Sequence, residues 1–243
     1  MKKVTVITSM FKAGQYIEGF IEDIIDQTAF DDCTWYLLDA YSPDNEYEII
    51  HPYLSKYNNI KYERLDHDPG LYACWNYMIK NSQSEYVSNS NVDDRLLPQC
   101  LERHIEVLDQ NHNYDLAYCE NAITHHINDS YKNYKYLEEV TTYPTGPFNR
   151  AKLLHHCYPS THPVWRRSLH DKFGFFNENY KSVSDHEFWL RCIANGSQDF
   201  IFIPEILGIY YYNPLGVSTN PDNNNWKHKE EFEVRQQYSN LLH

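Results

Sequence analysis

Over residues 1–119 the chain passes again and again from the alternation of a strand to the spacing of a helix, and this restricts its fold more than any other feature. Val4-Thr-Val-Ile-Thr8 is alternating and β-branched, which predicts a first strand. Residues 13–27 follow with Tyr16, Ile17, Phe20, Ile21, Ile24 and Ile25 at helical spacing. A second strand over 34–38 ends on Asp39, and the turn chemistry of Tyr41-Ser-Pro-Asp-Asn45 leads into a helix over 46–57. A third strand over 59–65 is broken from a helix over 71–79 by Asp68-Pro-Gly70. A fourth strand over 85–90, a helix over 97–108 and a fifth strand over 115–119 complete the series. Such a run predicts an α/β fold of the nucleotide-binding type. Its central sheet is mostly parallel, flanked by helices and joined by right-handed crossovers.

The rest is less regular. Residues 120–147 are polar and tyrosine-rich, which predicts a long loop or small hairpin over a site; 150–155 reads as helix and 161–165 as strand. Residues 184–194 form a strong amphipathic pattern, Pro214-Leu-Gly216 and Asn220-Pro-Asp-Asn-Asn-Asn225 are loop signals, and 226–242 reads as a charged C-terminal helix. No repeat or flexible linker divides the chain, so the expectation is one domain over 1–243, with halves over 1–119 and 120–219 and a helical tail over 220–243.

A net charge of −13 argues against nucleic acid or an anionic membrane surface as the main partner, because both are held by basic patches. Met1-Lys-Lys3 runs straight into a short strand pattern rather than a long apolar stretch, and no segment has the length of a transmembrane anchor. The six cysteines show no CxxC or zinc spacing, which fits reduced thiols in a cytoplasmic protein, soluble or peripheral at a membrane. His125-His126 and His155-His156 are adjacent pairs whose side chains diverge on a helix or strand, so they read as structural or acceptor-lining groups.

The run Glu85-Tyr-Val-Ser-Asn-Ser90 leads directly into Asn91-Val-Asp-Asp-Arg95. In an open α/β sheet, ligands collect beyond the carboxyl ends of the strands. Two neighbouring carboxylates there repel each other unless a cation neutralises them, as a divalent metal bridging to a substrate phosphate does. An isolated Asp-Asp is also ordinary turn chemistry.

Together these segments resemble the family 2 glycosyltransferases of the GT-A fold, over roughly residues 3–219. Val4-Thr-Val-Ile-Thr-Ser9 is similar to the family's first strand, whose end, here Thr8 and Ser9, meets the nucleotide. Leu38-Asp39-Ala-Tyr-Ser-Pro-Asp44 resembles the turn after strand two, with Asp39 where uracil is bound. Asp68-Pro-Gly-Leu-Tyr-Ala-Cys-Trp-Asn76 resembles the segment closing over the nucleotide, with Gly70 and Asn76 as hallmarks. Asn91-Val-Asp-Asp94 stands at the metal-binding DxD, and Ser184-Asp-His-Glu-Phe-Trp-Leu-Arg191 resembles the helix start that bears the catalytic base.

The resemblance implies a metal-dependent inverting enzyme that moves a hexosyl or N-acetylhexosaminyl group from a nucleoside diphosphate sugar, UDP-linked rather than GDP-linked, to an acceptor hydroxyl. Departure of the diphosphate develops charge that Mn2+ or Mg2+ stabilises as a Lewis acid. Asp93 and Asp94 are the metal candidates, with Asn91 and Asp93 toward ribose or sugar; Asn91 replaces the motif's first acid, which leaves open which aspartate holds the metal. Asp185 matches the base that takes the acceptor proton. It and Glu187 are equally placed to complement a helix N-terminus. Asp39 and Asn76 have ordinary readings too, as a turn residue and a helix-surface amide. Arg191 reads as structural, pairing with an acid on its helix or a nearby loop. Glu120, after strand five, and the late segments His162-Pro163 and Tyr211-Tyr-Asn-Pro-Leu-Gly-Val-Ser218 resemble family positions near the sugar or diphosphate. Trp165 and the tyrosines between Tyr131 and Tyr143 are candidates for an acceptor wall or for packing beneath a loop. The implied acceptor is a glycan, a lipid-linked glycan or a protein. Competing readings are a non-catalytic nucleotide- or glycan-binding relative, toward which Asn91 points, and a sugar-nucleotide pyrophosphorylase. The latter wants a richer Gly/Lys/Arg loop than Met10-Phe-Lys-Ala-Gly14.

Overall fold

A computed structural model describes residues 2–133, 146–159 and 161–242. The first part of the chain folds as its pattern requires. Strands β1 (Val4–Met10), β2 (Cys33–Asp39), β3 (Ile60–Arg64) and β4 (Tyr86–Asn89) alternate with helices α1 (Ile17–Ile25), α2 (Glu46–Leu54) and α3 (Leu71–Lys80). β1 pairs in parallel with β2 and with β4, and β2 with β3. Met10 lies opposite Asp39 and Ile7 opposite Asn89, so the segments leaving β1, β2 and β4 emerge at one end of the sheet.

From there the sheet departs from the parallel series. A two-residue strand β5 (Arg95–Leu96) precedes α4 (Cys100–Gln110), and β6 (Tyr114–Thr124) runs on past the expected fifth strand. After α5 (Arg150–Leu153) come β7 (Val164–Arg166), α6 (Ser168–Phe173), α7 (Ser184–Ala194), β8 (Asp199–Tyr211) and α8 (Asn224–Gln237). The order is β3-β2-β1-β4-β7-β6-β8-β5. β7 is antiparallel to both neighbours and β5 is antiparallel to β8, while β6 and β8 run parallel with register shifts around Glu120. The sheet is therefore mixed. Glu120 does not follow the strand but sits within it, at a bulge opposite Ile206, and Pro204 falls in the matching irregular stretch of β8. Asn121 to Thr124, expected within the tyrosine-rich loop, extend β6 instead. Tyr134, Tyr136 and Tyr143 lie outside the described residues.

Strand alternation divides the core between two faces. Val4, Val6, Trp35 and Leu37 face one way, onto Ile17, Phe20, Ile21, Leu101 and Ile105. Ile7, Tyr36 and Leu38 face the other, onto Trp75, Met78, Trp165, Phe188 and Trp189. Trp165 is fully buried, with its ring edge-on to Trp189 at 5.3 Å and its indole N–H donating to His170 Nε2 at 3.0 Å. It is a core residue and not part of an acceptor wall. Arg191 braces the same region as expected, pairing with Glu187 on its own helix and donating to the Phe173 and Phe175 carbonyls.

Two buried polar arrangements fix the rest. Arg95 reaches from β5 into α1, where its guanidinium grips both oxygens of Asp23; Nη2 to Oδ1 is 2.8 Å, and the Leu96 amide adds a third donor. The guanidinium crosses α1 at Gly19, where a Cβ would stand 2.6 Å from Arg Nη1. Asp23→Ala leaves that guanidinium buried without a counter-ion and is expected to cost about 3–5 kcal/mol of stability by urea unfolding, whereas exposed Asp44→Ala is expected to change little.

His170 accepts from Trp165 through Nε2 and faces the Gly174 carbonyl through Nδ1 at 3.1 Å, stacked at 4.6 Å on Phe188. Burial pushes its pKa from the ordinary 6.5 down to about 4. The unfolded chain thus binds a proton that the folded chain refuses, and stability falls as pH drops from about 6.5 toward about 4. From pH 7 to pH 5 the share of His170 in the loss is expected to be about 2 kcal/mol, and His170→Gln should lessen the slope by that share in urea titrations at the two pH values.

Candidate active site

The carboxyl ends of β1, β2 and β4 and the loops that leave them carry Thr8, Ser9, Asp39, Asn91, Asp93 and Asp94. Asp39 ends β2 fully buried; its Oδ1 accepts from the Ser42 amide at 2.7 Å and its Oδ2 from the Tyr62 hydroxyl at 2.7 Å and Arg64 Nη1 at 2.5 Å. Ser42 in turn donates to Glu46, whose carboxylate also takes the Ala13 amide at 2.7 Å, locking the β1 and β2 loops together. Beside this knot lies an open groove of about 760 Å³ lined by Tyr41, Pro43, Asp44, Tyr47, Glu48 and Arg64. Arg64 is the charged group of the knot that reaches solvent, 41% exposed over an Asp39 that is 0% exposed. Phe11, just past β1, is likewise exposed.

The acid pair stands on the turn between β4 and β5, and its members differ. Asp94 is buried: Oδ1 accepts the Tyr211 amide at 3.0 Å and Oδ2 the Asn91 side-chain amide at 3.1 Å. Asp93 is half-buried, and its Oδ2 accepts from Asn213 Nδ2 at 3.0 Å. Burial raises both carboxyl pKa values, and for Asp94 the neighbouring Asp93 charge raises it further. Asn91 thus acts as a donor within the turn. The Tyr16 hydroxyl lies 3.4 Å from Asn213 Nδ2, and its pKa is raised by burial and by the Asp93 charge. Tyr16 and Asn213 were not singled out from sequence as site residues, although the segment 211–218 was; the 120-residue separation of Asn213 from Asp93 hides the contact until β8 is placed.

Gly70 opens α3 at φ +93 and ψ 161, a region closed to side chains, while the Asp68 carboxylate accepts the Gly70 amide at 2.8 Å. Both are exposed at the end of the sheet where β3 finishes. Asp185 is on the first turn of α7, half-buried, and accepts the Tyr72 hydroxyl of α3 at 3.1 Å. Burial raises its pKa, against the opposing pull of the helix amides and Tyr72.

Other expected contributors take structural places. Thr8 donates to the Ser90 carbonyl at 2.8 Å, tying β1 to the acid turn, while Ser9 is half-buried at the strand's end. Asn76 clamps the Phe176 backbone from both sides, at 2.8 and 3.0 Å, and donates to Glu178. Glu187 is buried between Arg191 and the Tyr238 hydroxyl. His162 is buried below the acid turn, with Nδ1 3.2 Å from the Ser90 hydroxyl, and burial holds its pKa down to about 3. It supports the turn from beneath.

Among the described residues no cluster of three or more His, Cys, Asp or Glu forms a protein-only metal cage, and no helix is long and apolar enough to cross a membrane.

A curled mixed sheet carrying an acid pair at its carboxyl ends is the architecture of the GT-A glycosyltransferases. The chain belongs to glycosyl transferase family 2, whose profile matches residues 5–173. Two uncharacterised glycosyltransferases are similar in sequence. One from Methanocaldococcus jannaschii is 27% identical over 84% of this chain and 69% of its own length; one from Rickettsia typhi is 24% identical over 81% and 60%. TarS 1–349 of S. aureus, crystallised with UDP-GlcNAc, shares the fold at a TM-score of 0.72 and 17% identity, over 99% of this chain and 72% of that one. The mannosyltransferase PcManGT of Pyrobaculum calidifontis, with GDP-Man and Mn2+, does so at 0.65 and 14%, over 88% and 58%. The chain is a glycosyltransferase.

Gly70→Ala places a side chain in a backbone region closed to it, although a Cβ there would touch nothing within 4 Å. The expected cost is about 1–3 kcal/mol, read as a lower urea midpoint at unchanged m value.

Proposed function

We propose that this enzyme transfers a hexosyl or N-acetylhexosaminyl group from a UDP-sugar to an acceptor hydroxyl with inversion at the anomeric carbon. The observation that carries the reading is the division of labour in the acid pair: Asp94 is fully buried and occupied by the Tyr211 and Asn91 donors, while Asp93 is half-buried and takes the Asn213 amide on one oxygen. One carboxylate together with diphosphate oxygens and water suits Mn2+ or Mg2+, which rarely occupies an all-protein cage. When bound, the cation would neutralise the leaving diphosphate.

The chain's own residues do the remaining work. The nucleobase and ribose lie along Phe11, Ser9, Arg64 and Asn91, with Asp39 and Thr8 shaping the loops beneath them; Asp68 and Gly70 close the nucleotide side. Because Asp39 is sealed beneath Tyr62 and Arg64, base contacts fall to Arg64. The raised Asp185 pKa favours taking a proton. An acceptor oxygen attacks the anomeric carbon and its proton passes to Asp185. The bond from that carbon to the phosphate oxygen breaks, and its electron pair leaves with the diphosphate. A base facing the side opposite the leaving group gives inversion. UDP-GlcNAc bound to TarS and GDP-Man with Mn2+ bound to PcManGT support a nucleotide-sugar donor and a metal. The acceptor in this reading is a glycan, a lipid-linked glycan or a protein.

Calorimetric titration of UDP, GDP and CDP, each with Mn2+ and then with chelator, tests the donor; UDP alone is expected to bind, and only with metal. Asp93→Ala should abolish the metal dependence. Asp185→Asn should retain metal-dependent UDP binding yet lower hydrolysis of UDP-GlcNAc by at least about 10²-fold. Full hydrolysis by Asp185→Asn would overturn the base assignment.

A further inference from the structure

The side of Asp185 away from solvent is built with more care than a helix-capping acid needs. Tyr72, in the first turn of α3, is 4% exposed and aims its hydroxyl at Asp185 Oδ1, 3.1 Å away. The ring cannot turn aside. It meets Trp75 edge-on at 5.4 Å and lies against Phe176 at 5.9 Å. Phe176 is itself held through its backbone by Asn76, one turn further along α3. Asn76, Phe176, Tyr72 and Asp185 therefore form a continuous brace from α3 to the first turn of α7.

We propose that Tyr72 is the positioning residue of the catalytic base: its phenol holds the Asp185 carboxylate in one rotamer and in the ionised form that accepts a proton. This deepens, and rests on, the assignment of Asp185 as base. Burial alone would drive the Asp185 carboxyl toward its neutral form, which has no acceptor capacity for the incoming proton; a hydrogen-bond donor to the charged form opposes that. The phenol stays protonated throughout, because burial and the Asp185 charge raise its own pKa well above the ordinary range. Among the described residues, the other titratable groups that act on Asp185 are Cys157, from the segment after α5, and His186 on α7 itself. The Cys157 thiol is kept neutral by burial, and the His186 Nε2 is engaged with the Leu153 carbonyl. Tyr72 is thus the neutral side-chain donor whose removal changes the carboxylate without adding or deleting a charge.

The test is a carbon-13 carboxyl titration of the full chain labelled at aspartate, with the Asp185 resonance assigned by its loss in Asp185→Asn. Tyr72→Phe, which keeps the ring packing, is expected to raise the Asp185 midpoint by about one pH unit and to move the acidic limb of UDP-GlcNAc hydrolysis by the same amount. A fluorinated tyrosine at position 72, a stronger donor of unchanged shape, is expected to shift both downward; this arm needs no loss of the hydroxyl and holds if Tyr72→Phe folds poorly. Midpoints unmoved by both changes would overturn the inference. Midpoints that move while Asp185→Asn hydrolyses donor at the wild-type rate would overturn the base assignment and, with it, the catalytic meaning of the Tyr72 contact.

Discussion

The buried ion pair between Arg95 and Asp23 decides where the acids stand. Arg95 follows Asp94 directly, so by gripping α1 it pulls the end of the acid turn against the body of the sheet. A buried ion pair is an expensive way to stabilise a fold, since desolvation consumes much of the attraction. Its value here is geometric. Gly19 gives the guanidinium a path across α1, the Leu96 amide shares the same carboxylate, and β5 is held at the start of its short pairing with β8. The turn that carries the two mutually repelling carboxylates is thereby anchored by an ion pair outside it, in addition to the donors that Asp93 and Asp94 take themselves.

Beneath that turn the molecule relies on neutral polar groups rather than further charge. His162 supports Ser90 and is kept unprotonated by burial. An uncharged imidazole below the acids leaves the half-buried Asp93 as the local charge that a cation would meet. The same economy explains Asn91: an amide donates to Asp94 where a third carboxylate would add to the repulsion.

Most of the nucleotide half was legible because its strands and helices are local patterns, and the acid turn could be placed from the strand before it. What escaped detection depends on distant partners. β8 carries Pro204 and Gly208, which disguise a thirteen-residue strand as turn, and its pairing with β6 compensates by a bulge. β5 is two residues long and exists only because β8 lies beside it. The aspartate turn of β2 was recognisable, yet the sealing of Asp39 by Tyr62 and Arg64 depends on β3 pairing in register with β2. Glu187 and Asp185 looked alike as acids on one helix start. Packing separates them: Glu187 faces Arg191 and Tyr238, and Asp185 faces α3.

The strand order also leaves the sheet with two unlike ends. At one end β5 offers only two residues, too few to template a neighbour. At the other β3 spans five residues, Ile60-Lys-Tyr-Glu-Arg64, whose charged side chains interrupt any apolar row. Natural sheets guard themselves against edge-to-edge association by such short and charged borders. Among the described residues, the eight-stranded sheet is thereby denied a long flat border on which a second sheet could grow, and its net negative charge adds repulsion between copies.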